Sequence, residues 1–334
     1  MSNESVDKKY LESYQYSDES IKYYEFIFGD NVCNVCNVCM SAFTHGLCIS
    51  AWFTYPVFPR FSCHCRDYIS SGGLTATIKI LSDIQLDENS RVLGKTSRDL
   101  FAASPLHHFT AAPLLPRHSP FPILPHFADI GSGLGGGCKY INEKYGSYVY
   151  GVDICEKTVS IAKMRNKEKT KIEFDSCDIL KKEFEENSFD MIYSRDSILH
   201  LTVPDKKRLF EKCYLWLKPN GVLLITDYCA DTKDNWDTEF KEYITLRKYD
   251  LTTIDEYGNL ISSCNFKDVQ ATDISDYWLE LLEMELHRLN EKKEQFLSEY
   301  SLKDYNTLKD GWVRKIRDTK RNLQKWGLFK AHKK

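Results

Sequence analysis

Strand and helix signals alternate along most of this 334-residue chain, and that alternation predicts an α/β protein built on an open, mostly parallel sheet with helices on both faces. Two stretches carry the prediction. The glycine-rich run DIGSGLGGG, Asp129 to Gly137, closes a strand signal and opens a helical one that reaches Tyr145. The run Gly221-Val-Leu-Leu-Ile-Thr-Asp227 is apolar almost throughout and starts from a Lys-Pro-Asn-Gly turn, as expected of a strand covered on both faces.

The other elements follow in order. Ser90 to Leu93 begins a strand-like run, and Asp129-Ile130-Gly131 ends one. YVYGVDIC carries a strand to Asp153, and Glu156–Lys163 reads as the helix after it. Lys171–Asp175 and Phe189–Ser194 alternate as strands, and Asp205–Leu217 has helical spacing. Between Trp278 and Tyr300, residues Trp278, Leu281, Leu282, Glu285 and Leu289 recur at the helical period and predict a capping helix. Trp326-Gly-Leu-Phe-Lys-Ala is expected to be the last strand, at the sheet edge.

Two segments do not fit this pattern. Val32 to Asp67 holds six of the 12 cysteines, and Gly94 to Ala128 holds six of the 10 prolines. Together they carry only two of the 48 acids, Asp67 and Asp99, and the remaining 263 residues have an ordinary, slightly acidic composition. The Cys33, Cys36 and Cys39 run comes from a repeated Asn-Val-Cys tripeptide with no second C-x2-C at a ligand spacing, so no metal is expected. The charge-free stretch from Asn31 to Pro59 is interrupted by Asn, Thr, His, Ser and Pro, so no transmembrane segment is expected. The proline-rich stretch falls inside a strand signal, where prolines are excluded. Val-Cys, Gly-Lys and Phe-Ala-Asp can be encoded by splice-site-like triplets, which points to translated introns; the competing reading is a pair of true insertions. One domain is then expected: residues 1–31 and 68–84 as an N-terminal lid and helix, 32–67 and 94–128 as insertions, and 85–93 with 129–334 as the catalytic core. A net charge of −3 with no block of like charges argues against nucleic acid as a partner. No secretory or transit peptide pattern opens the chain.

A glycine loop alone suits many nucleotides. Asp129 at its entrance, Asp153 at the end of the second strand and Asp178 after the third narrow the choice. Asp153 can accept both ribose hydroxyls, and Asp178 can take an adenine amino proton while Ile179 packs on the ring. Three acids at successive strand ends suit a cationic adenosyl sulfonium and would repel a pyrophosphate. S-adenosyl-L-methionine is therefore the expected cofactor, held at the loop by Gly131 and Gly133. Taken singly, each acid also reads as an ordinary strand-end turn residue.

The stretches QYSDESIKYYEFIFG, YISSGG, DIGSGLGGG, FDMIYSRDSILHL, LKPNGVLLITDYCA, FKEYITLRKY and DGWVRKIRD resemble the single-domain phosphoethanolamine N-methyltransferases of the malaria-parasite type, almost end to end outside the two foreign segments. The resemblance implies a Rossmann-like class I methyltransferase fold, with a mostly parallel seven-stranded sheet, helices on both faces and an N-terminal helical lid. It implies three successive N-methylations from phosphoethanolamine through its mono- and dimethyl forms to phosphocholine, feeding phospholipid biosynthesis. By matching motifs, the catalytic pair falls on Tyr16 and His200. The donor pocket falls on Tyr16, Ile69, Gly131, Asp153, Ile154, Asp178, Ile179 and Arg195. The phosphobase pocket falls on Gln15, Tyr24, Ser70, Asp196, Tyr228, Tyr243, Arg247, Tyr249 and Lys315. A monomer in the cytoplasm, with peripheral attachment to Golgi or other endomembranes left open, is the expected form.

The chemistry has a use for these residue types. An ammonium substrate must lose a proton before transfer, and a histidine can take it. Tyr16 can hydrogen-bond that histidine and latch the lid, which excludes water during transfer. Asp196 offers charge to the amine, Arg247 can bind two phosphate oxygens, and Tyr243 and Tyr249 bracket them. Read without the resemblance, His200 is as readily a helix-start histidine packed on Leu199 and Leu201, and Lys315 cannot be preferred over Arg314 or Arg317. An inactive form of the same fold, or a methyltransferase of another small amine or a sterol, remain the alternatives. The six cysteines outside the first segment are expected to be reduced thiols.

Overall fold

The computed structural model describes residues 73–82, 84 and 126–334. Strands β1 (His126–Ile130), β2 (Tyr148–Asp153), β3 (Ile172–Ser176), β4 (Phe189–Arg195), β5 (Leu217–Ala230), β6 (Lys267–Asp273) and β7 (Gln324–His332) form one sheet in the order β3-β2-β1-β4-β5-β7-β6. The first five pair in parallel, and β7 runs antiparallel to both β5 and β6. Helix α1 spans Gly73–Ser82, α2 Gly136–Tyr145, α3 Glu156–Arg165, α4 Val203–Trp216, α5 Thr238–Leu246 and α6 Ile254–Ser263. Helices α7 (Ser275–Glu291), α8 (Lys293–Glu299) and α9 (Leu302–Lys320) complete the described chain.

Strand residues alternate between two apolar layers, one on each face of the sheet. Phe127, Met191, Tyr193, Val222 and Leu224 pack toward one layer with Trp278 and Trp326. Ala128, Ile130, Ile192, Leu223 and Ile225 pack toward the other with Phe210 and Tyr257. Burial on both sides explains why the Gly221–Ile225 part of β5 reads as a continuous apolar run. Helix starts are written in the sequence as caps. The Thr202 hydroxyl accepts from the Asp205 N–H ahead of Pro204 in the first turn of α4, and Thr253 with Glu256 and Ser301 with Asp304 form reciprocal capping boxes for α6 and α9.

Three expectations need correction. The Trp326 strand is not an edge: β7 lies between β5 and β6, and the edge is β6. Strand β6, KDVQATD, is exposed along most of its length, so it shows none of the apolar alternation by which a strand is found. The second foreign segment does not end outside the fold, because His126, Phe127 and Ala128 form the first three residues of fully buried β1. The Trp278–Tyr300 helix is two helices, separated at Lys292. The Lys-Pro-Asn-Gly turn persists as an irregularity inside β5, with Asn220 at φ 65. The remaining 1–72 stretch and most of 83–125, including the first foreign segment, lie outside the described residues.

Chain order reverses between β1 and β4: β2 and β3 extend the sheet one way, and β4 and β5 the other. Ligands of open α/β sheets bind beyond the carboxyl ends of the strands at such a reversal.

Candidate active site

The carboxyl ends of β1, β2, β3 and β4 surround a cleft of about 650 Å³, counting space open to solvent. Gly131, Asp153, Ile154, Asp178, Ile179, Ser197 and His200 line it. Gly131 turns the chain out of β1 at φ +76, and its N–H donates to the Val152 carbonyl at 2.7 Å. A Cβ there would fall 2.0 Å from Ser197 Oγ, so only glycine lets the loop pass the β4 side of the cleft. The Asp153 carboxylate accepts from the Gly133 and Cys155 N–H groups, both at 2.9 Å, and thereby joins the glycine loop to the end of β2. Asp178 accepts from the Leu180 N–H at 3.0 Å, while its buried Oδ2 has no hydrogen-bond partner and faces the Lys181 ammonium at 3.4 Å. These acids and the glycine cradle fit an adenosyl group carrying a sulfonium.

Asp129 stands differently from its neighbours. Its buried carboxylate lies beneath the start of α2, accepting from Cys138 Sγ at 3.3 Å, and is not in the cleft wall. Burial, opposed by that thiol contact, pushes it up to about 7. Arg195 likewise turns from the cleft, donating from Nη1 to the Gly73 carbonyl at 2.7 Å and to Thr77 Oγ1 at 2.6 Å. It clamps the first turn of α1 onto the sheet.

His200 ends a one-turn 3-10 helix, Ile198–His200, after β4. Its ring lines the cleft and meets the Tyr249 ring edge-on at 5.2 Å, with Nε2 buried and without a hydrogen-bond partner. Burial, followed by the Arg247 and Lys206 charges, pushes it down to about 3, so it is neutral at physiological pH and has a free ring nitrogen.

Beyond His200 lies a cluster of aromatic rings and cations. Tyr249 packs edge-on to Tyr228 and to Tyr243, each at 6.2 Å. Arg247 caps α5 and donates from Nε and Nη2 to the Tyr249 hydroxyl at 3.0 and 2.8 Å. Lys315 reaches in from α9 to 5.7 Å above the Tyr228 ring. Burial and the Arg247 charge push this lysine down to about 8. Asp196 follows β4 in the left-handed region, at φ 52, a strained conformation for a non-glycine residue. Its Oδ1 accepts from Trp326 Nε1 at 2.7 Å and from Thr226 Oγ1 at 3.3 Å, and its buried Oδ2, without a hydrogen-bond partner, is ion-paired with Arg195 Nε at 3.8 Å.

The described residues thus bring together Gly131, Gly133, Asp153, Ile154, Asp178 and Ile179 around one compartment. They bring Asp196, Tyr228, Tyr243, Arg247, Tyr249 and Lys315 around another, with His200 between. Tyr16, Ile69, Gln15, Tyr24 and Ser70 lie outside the described residues. Sequence reasoning missed three members of the second compartment. Arg314 lies 4.0 Å over the Tyr243 ring, Trp278 packs at 4.9 Å on Tyr228, and Trp326 holds Asp196. Arg314 could be suspected only as the neighbour of Lys315. Nothing local in the sequence marks the two tryptophans as site residues, because they arrive from α7 and β7.

Comparison with known proteins agrees with this geometry. A methyltransferase domain model matches residues 128–225, from β1 into β5. The chain is 48% identical over 331 residues to the phosphoethanolamine N-methyltransferase of Plasmodium falciparum, covering 99% of this chain and 98% of that protein. It is 41% identical over 206 residues to phosphoethanolamine N-methyltransferase 1 of Arabidopsis thaliana, covering 61% of this chain and 41% of that one. Among solved structures, phosphoethanolamine N-methyltransferase 2 of Haemonchus contortus, in complex with phosphomonomethylethanolamine and S-adenosylhomocysteine, superposes with a TM-score of 0.71 at 26% identity. That match covers 98% of this chain but 60% of the other, so the chain spans about three fifths of that protein's length. With a seven-stranded sheet of this order, a glycine cradle at the chain reversal and near-full-length identity at this level, the chain belongs to the phosphoethanolamine N-methyltransferase family of class I S-adenosylmethionine-dependent enzymes.

Proposed function

We propose that this enzyme methylates phosphoethanolamine in three successive steps to phosphocholine, as a cytoplasmic monomer using S-adenosyl-L-methionine. The observation that carries the reading is the position of His200, which lines the adenosyl cleft on one side and touches the tyrosine and cation pocket on the other. S-adenosylmethionine, when bound, supplies the activated methyl group; the chain's own residues must deliver a neutral amine. Neutral His200, with its free Nε2, is placed to accept the ammonium proton. Phosphate bound beside Arg247 would offset one of the charges that depresses the histidine, raising its basicity when substrate is present. Asp196 Oδ2 offers charge to the amine, and Arg247, Lys315, Tyr243 and Tyr249 face the phosphate. Tyr16, Gln15, Tyr24, Ile69 and Ser70 complete this reading from outside the described residues.

None of the helices among the described residues is long and apolar enough to cross a membrane. The test is a time course with methyl-labelled S-adenosylmethionine and phosphoethanolamine. Label should pass through the mono- and dimethyl phosphobases to phosphocholine, and His200→Ala should slow it by about 10²–10⁴-fold. No labelled phosphobase, or label on a phosphate-free amine or a sterol instead, would sink the reading.

A further inference from the structure

Helix α1 turns Ala76, Ile80 and Leu81 into the apolar layer it covers, and among them stands the hydroxyl of Thr77, 0% exposed. Arg195, at the end of β4, is buried beside it. Burying a guanidinium is costly unless it is paired, and packing alone would be served by apolar side chains at both positions. Their contacts show what the two residues hold.

Arg195 Nη1 donates to Thr77 Oγ1 at 2.6 Å and to the Gly73 carbonyl at 2.7 Å, while the Thr77 hydroxyl donates to that same carbonyl at 3.2 Å. These three groups close a triangle on one corner of the guanidinium. Because a guanidinium is a rigid plane, fixing Nη1 also aims Nε, and Nε faces Asp196 Oδ2 at 3.8 Å. A second line of contacts runs from the same helix to the other carboxylate oxygen. Lys79 Nζ lies 3.5 Å over the ring of Tyr277 in α7, that ring stacks on Trp326 at 6.3 Å, and Trp326 Nε1 donates to Asp196 Oδ1 at 2.7 Å. Lys79 is exposed, so this line is the weaker of the two. Asp196 needs such holding. Its φ of 52 is a conformation that persists only where the surroundings over-determine it, and the Thr226 carbonyl also takes its N–H at 2.8 Å.

We propose that Thr77 is a positioning residue: it sets the Arg195 guanidinium so that the ion pair holds Asp196 Oδ2 where the substrate's amine arrives, and α1 thereby governs the amine end of the site. The inference rests on the reading of Asp196 as the carboxylate that draws the amine. A carboxylate gripped through Oδ1 alone could still turn about that oxygen; the guanidinium, fixed from α1, removes this freedom.

The test uses the full chain as wild type, Thr77→Val and Thr77→Ser. Valine keeps the shape of threonine and loses the hydroxyl; serine keeps the hydroxyl. Thr77→Val should lower kcat/KM for phosphoethanolamine roughly 10-fold, the worth of one hydrogen bond to a charged group, with S-adenosylhomocysteine affinity within about 3-fold of wild type. The inhibition constant of propyl phosphate, which carries the phosphate and no amine, should also stay within about 3-fold. Thr77→Ser should recover most of the lost kcat/KM. If Thr77→Val does not fold, Thr77→Ala is compared with Thr77→Ser on the same readouts. A lower melting temperature with kcat/KM unchanged, equal losses for phosphoethanolamine and propyl phosphate, or a serine variant as impaired as the valine one would each make Thr77 merely structural and overturn the proposal. Absence of any methylated phosphobase from wild type would instead overturn the reading of the site beneath it.

Discussion

Gly131→Ala tests whether the donor loop and the His200 turn are one mechanical unit. A residue with a side chain at φ +76 pays about 1–2 kcal/mol in backbone strain alone. The new Cβ would also lie 2.0 Å from Ser197 Oγ and 2.3 Å from Ser197 Cβ, with the Ser197 Cα at an ordinary 3.8 Å. Overpacking of this kind costs a further ~1–3 kcal/mol. The clash therefore comes from two side-chain atoms, both absent in glycine. Ser197→Gly in the same chain should recover the steric part and leave the strain. The assay is a double-mutant cycle on the affinity for S-adenosylhomocysteine by calorimetry, with melting temperatures alongside. Gly131→Ala alone should weaken binding by roughly 30-fold or more, at 1.4 kcal/mol per factor of ten. The pair should show a coupling of ~1–3 kcal/mol, and additivity within about 0.5 kcal/mol would refute the proposed contact.

Arg314→Ala and Arg247→Ala should each raise KM for phosphoethanolamine by roughly 10–100-fold, the worth of one charge-assisted hydrogen bond, with donor KM nearly unchanged in steady-state kinetics; equal losses for both substrates would speak against a phosphate subsite. Lys315, pushed down to about 8, is a cation only below that pH in the free enzyme. Consequently kcat/KM for the phosphobase should fall as pH rises through 8, and Lys315→Arg should abolish that limb because arginine stays charged. Removing residues 32–67 and 94–128 should give a 263-residue chain with more phosphocholine formed per milligram than the 334-residue chain. In that chain Arg91-Val92-Leu93 would precede Asp129, in place of a His126 whose Nε2 is buried without a hydrogen-bond partner, a deficit of ~1–3 kcal/mol. Equal activity of the two chains, or a mature transcript that retains both segments, would count in favour of true insertions.

The parts of this site that could be read from sequence are those whose geometry is local. A glycine at positive φ, an acid closing a strand and a cap opening a helix each occupy a few consecutive residues, so the donor cleft was legible from Gly131, Asp153 and Asp178. The proposed substrate site is assembled from chain segments more than 100 residues apart. Trp326 reaches Asp196 across β7 and β5 because β7 inserts between β5 and β6, an order that periodicity cannot reveal. Arg247 and Lys315 were reachable through family resemblance alone, since their local patterns are those of solvated helix faces. Asp129 shows the opposite failure. Its position at the loop entrance predicts a ligand contact, yet the chain turns so that α2 covers it.

One pocket must hold three substrates that differ in what their nitrogen can offer. Each methylation removes an N–H and leaves the positive charge in place, so a site that relied on hydrogen bonds to the amine would loosen its grip at every step. The arrangement around Asp196 avoids that dependence. Trp326 and Thr226 take Oδ1 and fix the carboxylate, while in the proposed reading Oδ2, paired among the described residues only with Arg195 at 3.8 Å, offers charge to the amine without needing a donor in return. In the proposed reading the phosphate, unchanged through all three rounds, is left to the Arg247, Arg314 and Lys315 side. Constancy at that end is what would let the nitrogen change at the other without the substrate shifting relative to His200.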